Sequence, residues 1–361
     1  MATPEAVHMD KDYSEHSQMQ GSAAYKALEL GYYDLAIQTY FKKHPERFAA
    51  PSRQPFRIVE FGCADGCNSV QIYERLVNLV REKSPGKTIE IFCNDLESSN
   101  WGLFFKNINT LRSKFDNLFI NVAAGTFYDQ LMPSKTVDFA FSCTAIHWLR
   151  KSPSHINDLL YYHNEKMVHV EDEDRKLWDI QSKQDLDLFY SQRQKELKDG
   201  GMLFICSVGS GNKHNPVDDA LVASTTNWKP SVMEILRDHN LEEISGNFML
   251  PLVLRQENEL KPDNELSVIK SESLQIEVQS LKQLRDSQCE DEYAKAHYGI
   301  FSTFVKPYWQ AQLITAGVEQ QYADDLVDKM LQKVAKSRLS FRKLMIGSTS
   351  INMLISNDLH Q

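Results

Sequence analysis

Residues 57–68 read RIVEFGCADGCN, and the residue types and spacing inside this stretch are those of a ligand site. Arg57 to Phe61 predicts a short buried strand that breaks at Gly62 into a loop and then a helix. Glu60, Gly62 and Gly66 fall as E-x-G-x-x-x-G. A glycine at a strand's end removes the Cβ that would keep a ligand away from the backbone. The spacing is not the G-x-G-x-x-G that cradles a pyrophosphate, and an acid ahead of the loop suits a cationic amino-acid head. Other groups with chemistry follow later strands: Asp95 and Leu96, then Thr126 and Phe127, then Ser142 to Leu149. A carboxylate at Asp95 can accept both hydroxyls of a ribose, or it can cap a helix. Phe127 offers a face to a flat base, or a side chain to the core. His147 taken alone reads as a hydrogen-bonded structural histidine, and Trp148 as core. Four strand ends aimed at one crevice form a more specific set than any member.

The elements that must hold these groups follow from periodicity. Apolar positions Ala24, Leu28, Leu35, Ile37 and Tyr40 predict a helix over 19–44, followed by a linker with Pro45, Pro51 and Pro55. A helix is predicted over 69–83, stopped by Ser84-Pro85-Gly86. Further helices are predicted at 101–111 and 186–197, and strands at 88–94, 118–123, 137–143 and 202–208. Beyond Gly209 the pattern turns helical and irregular, with helices at 225–239 and 274–284 and two closing strands at 343–348 and 350–356. The acidic run Glu171 to Asp174 reads as a solvated loop. Alternating strands and helices imply an α/β fold with a Rossmann-like, doubly wound, mostly parallel sheet and a helical cap. The expected division is a core with an N-terminal covering segment over 1–210, a mainly helical cap over 211–312, and a C-terminal helix and strands completing the sheet over 313–361. Aromatic residues of the cap region, Trp228 and Trp309 among them, read equally as pocket wall or core.

The 361 residues are 42% hydrophobic and 25% charged, which fits a soluble globular protein, and they carry a net charge of −9. That sign argues against nucleic acid as a partner, since phosphate backbones want a basic face. A small anionic substrate stays open. The first residues show no basic and apolar leader, and no run of about 18 apolar residues appears, so a cytoplasmic protein without membrane association is expected. Six dispersed cysteines read as reduced, buried thiols. Cys63 and Cys67 lack the His or Cys company of a metal site.

The stretches 8–22 (HMDKDYSEHSQMQGS), 59–69 (VEFGCADGCNS), 92–101 (FCNDLESSNW), 125–133 (GTFYDQLMP), 141–149 (FSCTAIHWL), 197–205 (LKDGGMLFI) and 304–314 (FVKPYWQAQLI) carry a resemblance. In their order and spacing the chain resembles the SABATH family of S-adenosylmethionine-dependent methyltransferases over nearly its whole length. That family includes salicylic, jasmonic, indole-acetic and gibberellin carboxyl methyltransferases and the caffeine-pathway N-methyltransferases. The resemblance implies S-adenosyl-L-methionine as donor and S-adenosyl-L-homocysteine as product. It implies a donor site lined by Gln18, Ser22, Gly62, Cys63, Asn68, Asp95, Leu96, Thr126, Phe127, Ser142 and Cys143. His147 and Trp148 would hold the acceptor carboxylate through ring N–H groups, with Tyr25 and Thr144 beside it. The chain departs from the family at Asp10, where several members have Lys, at Tyr25 (Gln), at Thr144 (Tyr) and at Gln18 (Tyr). A magnesium position of some members falls near Gly246, Phe248 and Met249, where no carboxylate stands, so no metal is expected. A homodimer is implied by resemblance only.

The expected function is methyl transfer to the carboxylate of a small-molecule acid, giving a methyl ester. The alternative is N-methylation of a small heterocycle or amine, which the altered acceptor residues would suit. A carboxylate with a pKa near ~4 is ionised at neutral pH, so no general base is required. Positioning and exclusion of water would carry the catalysis, with His147 and Trp148 orienting and not reacting. A binding-only protein on the same fold and a nucleotide-dependent dehydrogenase are weaker readings. The donor residues are nearly complete, and the glycine spacing is wrong for a dinucleotide.

Overall fold

The structure is a computed structural model that describes residues 17–48, 54–154, 156, 162–163, 171–210, 228–336 and 347–358. Apolar strands β1 (Phe56–Phe61), β2 (Ile89–Asn94), β3 (Leu118–Val122), β4 (Val137–Cys143) and β6 (Leu197–Gly209) run parallel, as expected for strands joined by helical crossovers. β9 (Gly347–Ser356) pairs antiparallel with β6 on one side and with β8 (Ser267–Glu277) on the other. The seven-stranded order is β3-β2-β1-β4-β6-β9-β8, and β5 (Tyr162–His163) and β7 (Val253–Leu254) form a small second sheet. Strand order reverses between β1 and β4, so the carboxyl ends of those strands open a crevice there.

Helices α1 (Gln18–Glu29), α2 (Tyr32–Lys43), α3 (Val70–Lys83) and α4 (Trp101–Lys114) cover one face, packing Tyr33, Tyr40, Leu76 and Phe104 onto Phe139, Phe141 and Phe204. Helix α5 (Asp172–Glu196) covers the other, burying Phe189 and Tyr190 against Val59, Phe61 and Leu203. A third cluster holds the cap together: α6 (Trp228–Asp238), the 3₁₀ turn Glu242–Phe248, α7 (Gln279–Asp286), α8 (Glu290–Thr315) and α9 (Gln320–Lys336) close around Trp228, Phe301 and Trp309. Those aromatics are buried, and Trp309 Nε1 donates to Phe248 O at 2.9 Å.

Five expectations are corrected, the last being that the two predicted closing strands are, over the described residues, the single strand β9. The predicted helix 19–44 is two helices, because Gly31 adopts φ +71 and turns the chain. The acidic run 171–174 begins α5, with three acids in its first turn, where the helix dipole favours negative charge. Residues 274–284 are not one helix: the strand β8 runs to Glu277 and α7 begins at Gln279. β8 thus lies inside the segment read as a cap yet belongs to the main sheet, while α9 packs on the cap. Residues 343–346 and 225–227, predicted as strand and helix ends, lie outside the described residues, and 350–356 continues β9. All six cysteines are free. Among the described residues, no helix is long and apolar enough to cross a membrane.

Candidate active site

Asn94, at the end of β2, and Asp95 after it stitch the crevice loops together through backbone and side chain. Gly62 N and Cys63 N both donate to Asn94 O at 2.9 Å. Asn94 Nδ2 donates to Ala123 O (2.7 Å) and Gly125 O (2.8 Å). Asp95 accepts from Ala64 N at 2.7 Å through one oxygen, and from Leu96 N and Ser99 Oγ, each at 2.8 Å, through the other. Helix α4 is capped by Asn100, whose side chain accepts from Leu103 N at 3.0 Å, so Asp95 is not its cap. Asp95 instead holds Ala64 at φ +47, a left-handed conformation that a residue with a Cβ adopts only under constraint.

The glycines have a different purpose from the one the spacing suggested. A Cβ on Gly62 (φ +81) would lie 2.3 Å from Ala145 Cβ, and one on Gly66 (φ +74) would lie 2.8 Å from the Phe104 ring. Each makes room for another part of the protein, and Gly62 lets the loop after β4 cross the loop after β1.

Helix α1 roofs the crevice. Asn68 Nδ2 donates to Ser17 Oγ at 3.1 Å, and Gly21 passes so close that a Cβ there would lie 2.8 Å from Asn68 Oδ1. Gln20 and Ala24 of α1 face Glu60, Gly62, Cys63, Asn68, Ser69, Ile72, Cys143 and Thr144 across the crevice, leaving room of about 20 Å³. Five predicted site residues, Gly62, Cys63, Asn68, Cys143 and Thr144, therefore meet there. Asp95, Leu96, Thr126 and Phe127 stand at the adjoining ends of β2 and β3. Ser22 and Tyr25 are half-buried on α1. Gln18 is exposed and accepts from Ser280 Oγ at 2.6 Å, which ties the roof to the cap. Ser142 is fully buried, and its hydroxyl donates to Phe61 O at 2.8 Å, so its side chain joins β4 to β1. Gln20 was missed by sequence reasoning. Its buried Oε1 has no hydrogen-bond partner among the described residues. Its place one helical turn before Ala24 was the available signal.

Glu60 sits beneath the loop, 3% exposed, accepting from Ser69 Oγ at 2.8 Å and from the Tyr73 hydroxyl. Burial raises its pKa to about 7; the two hydroxyl donors oppose the rise, and the nearby Asp95 charge adds to it.

The loop after β4 carries the acceptor candidates. Thr144 has φ +52, uncommon for a β-branched residue, and its N donates to Cys206 O at 2.6 Å. Residues 146–149 are clamped by the segment 251–255: Leu149 N donates to Pro251 O (2.7 Å), Val253 N to His147 O (2.9 Å) and Arg255 Nη1 to Ile146 O (2.8 Å). Tyr128 OH donates to Trp148 O at 2.5 Å. His147 is 6% exposed, and its buried Nδ1 has no partner among the described residues. Burial lowers its pKa to about 3, with the Arg255 charge adding to the effect, so the ring is neutral. The Trp148 ring lies 6.0 Å from it and packs against the cap cluster. Arg255 was also missed; it bonds across 109 residues to Ile146, a contact no local pattern reveals.

A sheet with one antiparallel strand beside its edge, and acids at the ends of its first two strands around a roofed crevice, define the methyltransferase class of α/β protein. The model of the SAM dependent carboxyl methyltransferases matches residues 6–356, and the chain belongs to that family. It is similar to gibberellic acid methyltransferase 2 of Arabidopsis thaliana, 27% identical over 226 residues, which are 57% of this chain and 58% of that one. It thus spans a little over half the length of that relative. A probable S-adenosylmethionine-dependent methyltransferase of the same species is 22% identical over 350 residues, 91% of this chain and 90% of that one. A structure of loganic acid methyltransferase with SAH superposes with a TM-score of 0.72 over 98% of this chain and 99% of that one, at 17% identity, a likeness of fold.

Proposed function

We propose that the protein transfers a methyl group from S-adenosyl-L-methionine to the carboxylate of a small-molecule acid. The observation that carries this reading is His147, a buried, neutral imidazole whose Nδ1 has no partner among the described residues, held beside Trp148 on the loop that crosses Gly62. The crevice residues Glu60 and Gln20, whose Oε1 has no partner among the described residues, suit an ammonium head, and Asp95 and Phe127 at the adjoining strand ends suit a ribose and a base. When bound, the donor supplies a methyl already activated on a sulfonium. A neutral imidazole orients an acceptor oxygen through one N–H without the full charge that would weaken it as a nucleophile. Trp148 gives a second N–H and an apolar surface that excludes water.

The test is label transfer from methyl-labelled S-adenosylmethionine to a panel of acids and amines. Label on an acid, released as methanol by mild base, supports the ester; base-stable label on an amine or azole moves the assignment to N-methylation. His147→Phe is expected to lower transfer by about a hundredfold, the effect of losing one positioned donor. Its affinity for S-adenosylhomocysteine should stay within about twofold of the parent's.

Glu60 sets a pH dependence. Its folded pKa of about 7 exceeds the ordinary 4.5, so the native state keeps a proton that the unfolded state releases. That stabilisation is complete below 4.5 and is lost as pH rises through 7. An ammonium head favours the ionised acid, so donor binding releases the proton. S-adenosylhomocysteine is expected to bind about tenfold more weakly at pH ~6 than at pH ~8 in calorimetric titrations, and Glu60→Gln should flatten that profile. An unchanged profile in the variant would show that Glu60 does not face the head group.

We also propose, from the charge and sequence pattern, a cytoplasmic protein with no nucleic-acid partner, on the family resemblance a homodimer, and a core, cap and closing segment divided at 210 and 312, with β8 counted in the core sheet.

A further inference from the structure

A second pocket, of about 240 Å³, opens at the other end of the sheet, where β1 and β4 begin. Arg47, Lys87, Lys135 and Lys198 line it against Asp138 and Asp199, with Phe48 and Phe56 as an apolar wall. Four cationic side chains facing two carboxylates invert the sign of a chain whose net charge is −9.

Three of the cations have partners. Lys198 Nζ lies 2.8 Å from both oxygens of Asp138, a carboxylate that also accepts from the Tyr40 hydroxyl and from Arg57 N. Lys135 Nζ reaches Asp199 at 2.7 Å. Arg47 donates to Tyr40 OH (2.5 Å) and Asp199 O (3.1 Å), and the exposed Glu46 approaches it at 3.8 Å. Lys87 is different. It is 8% exposed, and its ammonium donates to one backbone oxygen, Arg47 O, at 3.0 Å; among the described residues no carboxylate lies within ion-pair distance. Burial lowers its pKa, and Lys198 adds to that while Asp138 opposes it. With one protein oxygen as acceptor, the ammonium has N–H groups left for an anion entering the pocket, which would both neutralise it and accept from it.

We propose that this pocket binds a small phosphate-type anion, as inorganic phosphate or pyrophosphate or as the phosphate of a short monoester. The excess of two positive charges suits a dianion, and the Arg47 guanidinium suits paired phosphate oxygens. The volume lies below the ~300–1,000 Å³ of pockets for drug-sized ligands and suits a small anion. The site stands at the strand ends opposite the methyl-donor crevice.

The test titrates pyrophosphate, phosphate and glycerol phosphate into the full chain at low ionic strength, by calorimetry and thermal unfolding. Pyrophosphate is expected to bind and to raise the unfolding midpoint. Lys87→Met should weaken binding by at least about tenfold. Lys135→Gln, at an exposed position where folding is not at stake, should weaken it by about threefold. Lys114→Gln, an exposed lysine paired with Glu74 that does not line the pocket, should change nothing. Glycerol phosphate binding more tightly than phosphate would put its organic part against Phe48, and equal binding would make the phosphate group the whole ligand; both support the site. Absence of heat and of any midpoint shift at about 10 mM pyrophosphate would overturn the proposal. So would equal affinity in the Lys87 and Lys135 variants, or competition between pyrophosphate and S-adenosylhomocysteine.

Discussion

Gly62→Ala is expected to destabilise the protein by more than about 4 kcal/mol and to abolish binding of S-adenosylhomocysteine. Two separate effects add. The residue stands at φ +81, where a side chain costs about 1 kcal/mol. The new Cβ would also lie 2.3 Å from Ala145 Cβ, well inside the ~3.5–4 Å of carbon–carbon contact. Neither atom is the end of a flexible side chain, so relief requires the two loops to part. One loop is fixed by Gly62 N and Cys63 N on Asn94 O, the other by Thr144 N on Cys206 O. Parting them displaces Thr144, His147 and Trp148 together with the donor loop. Urea unfolding and ligand titration measure both effects. The double variant Gly62→Ala with Ala145→Gly removes the clash and keeps the φ cost, so most of the loss should be recovered, to within about 1.5 kcal/mol of the parent. A single variant within about 1 kcal/mol of the parent, or a double variant no better than the single, would show that the crossing of these loops does not shape the site.

The parallel half of the sheet was legible because its strands are buried on both faces and read as apolar runs, from Phe56–Phe61 to Val137–Cys143. β8 was not, because SVIKSESLQIE is an edge strand with one buried side chain, Ile276, and only pairing with β9 defines it. The site divided in the same way. Gly62, Asp95 and His147 were found because their types are unusual at strand ends, but what they touch was not. Asp95 was read as a ribose acceptor or a helix cap, and the structure has it also fastening the Ala64 peptide. Gly62 was read as space for a ligand, and the space belongs to Ala145. Arg255, Arg193 and Glu196 escaped notice because a charged residue on a helix or strand ordinarily reads as solvated. Their burial depends on partners 64 to 109 residues away.

The pair of Arg193 and Glu196 supports the second large expected effect. The arginine is fully buried, with Nε 2.8 Å from one oxygen of Glu196 and Nη2 3.1 Å from the other, and its guanidinium lies 3.9 Å from the centre of the Phe61 ring. Burial lowers its pKa while Glu196 opposes the shift, and the guanidinium stays charged and paired with that carboxylate. The same two side chains hold the loop that carries Phe127. Arg193 donates to Phe127 O (2.6 Å) and Asp129 O (2.8 Å), and Glu196 accepts from Leu131 N (2.6 Å) and Met132 N (3.0 Å). Arg193→Met is expected to cost about 3–5 kcal/mol, since it leaves Glu196 buried without its counter-charge. Adding Glu196→Gln removes that stranded charge and should restore roughly half of the loss in denaturant unfolding. Donor affinity should respond differently. The carbonyls of Phe127 and Asp129 have no donor in either variant, so S-adenosylhomocysteine is expected to bind at least about tenfold more weakly in both. An affinity that recovers in step with stability would mean that the pair serves the core alone and that Phe127 is placed without it. An affinity that stays low in a stably folded double variant would tie the buried arginine to the placing of Phe127 for donor binding.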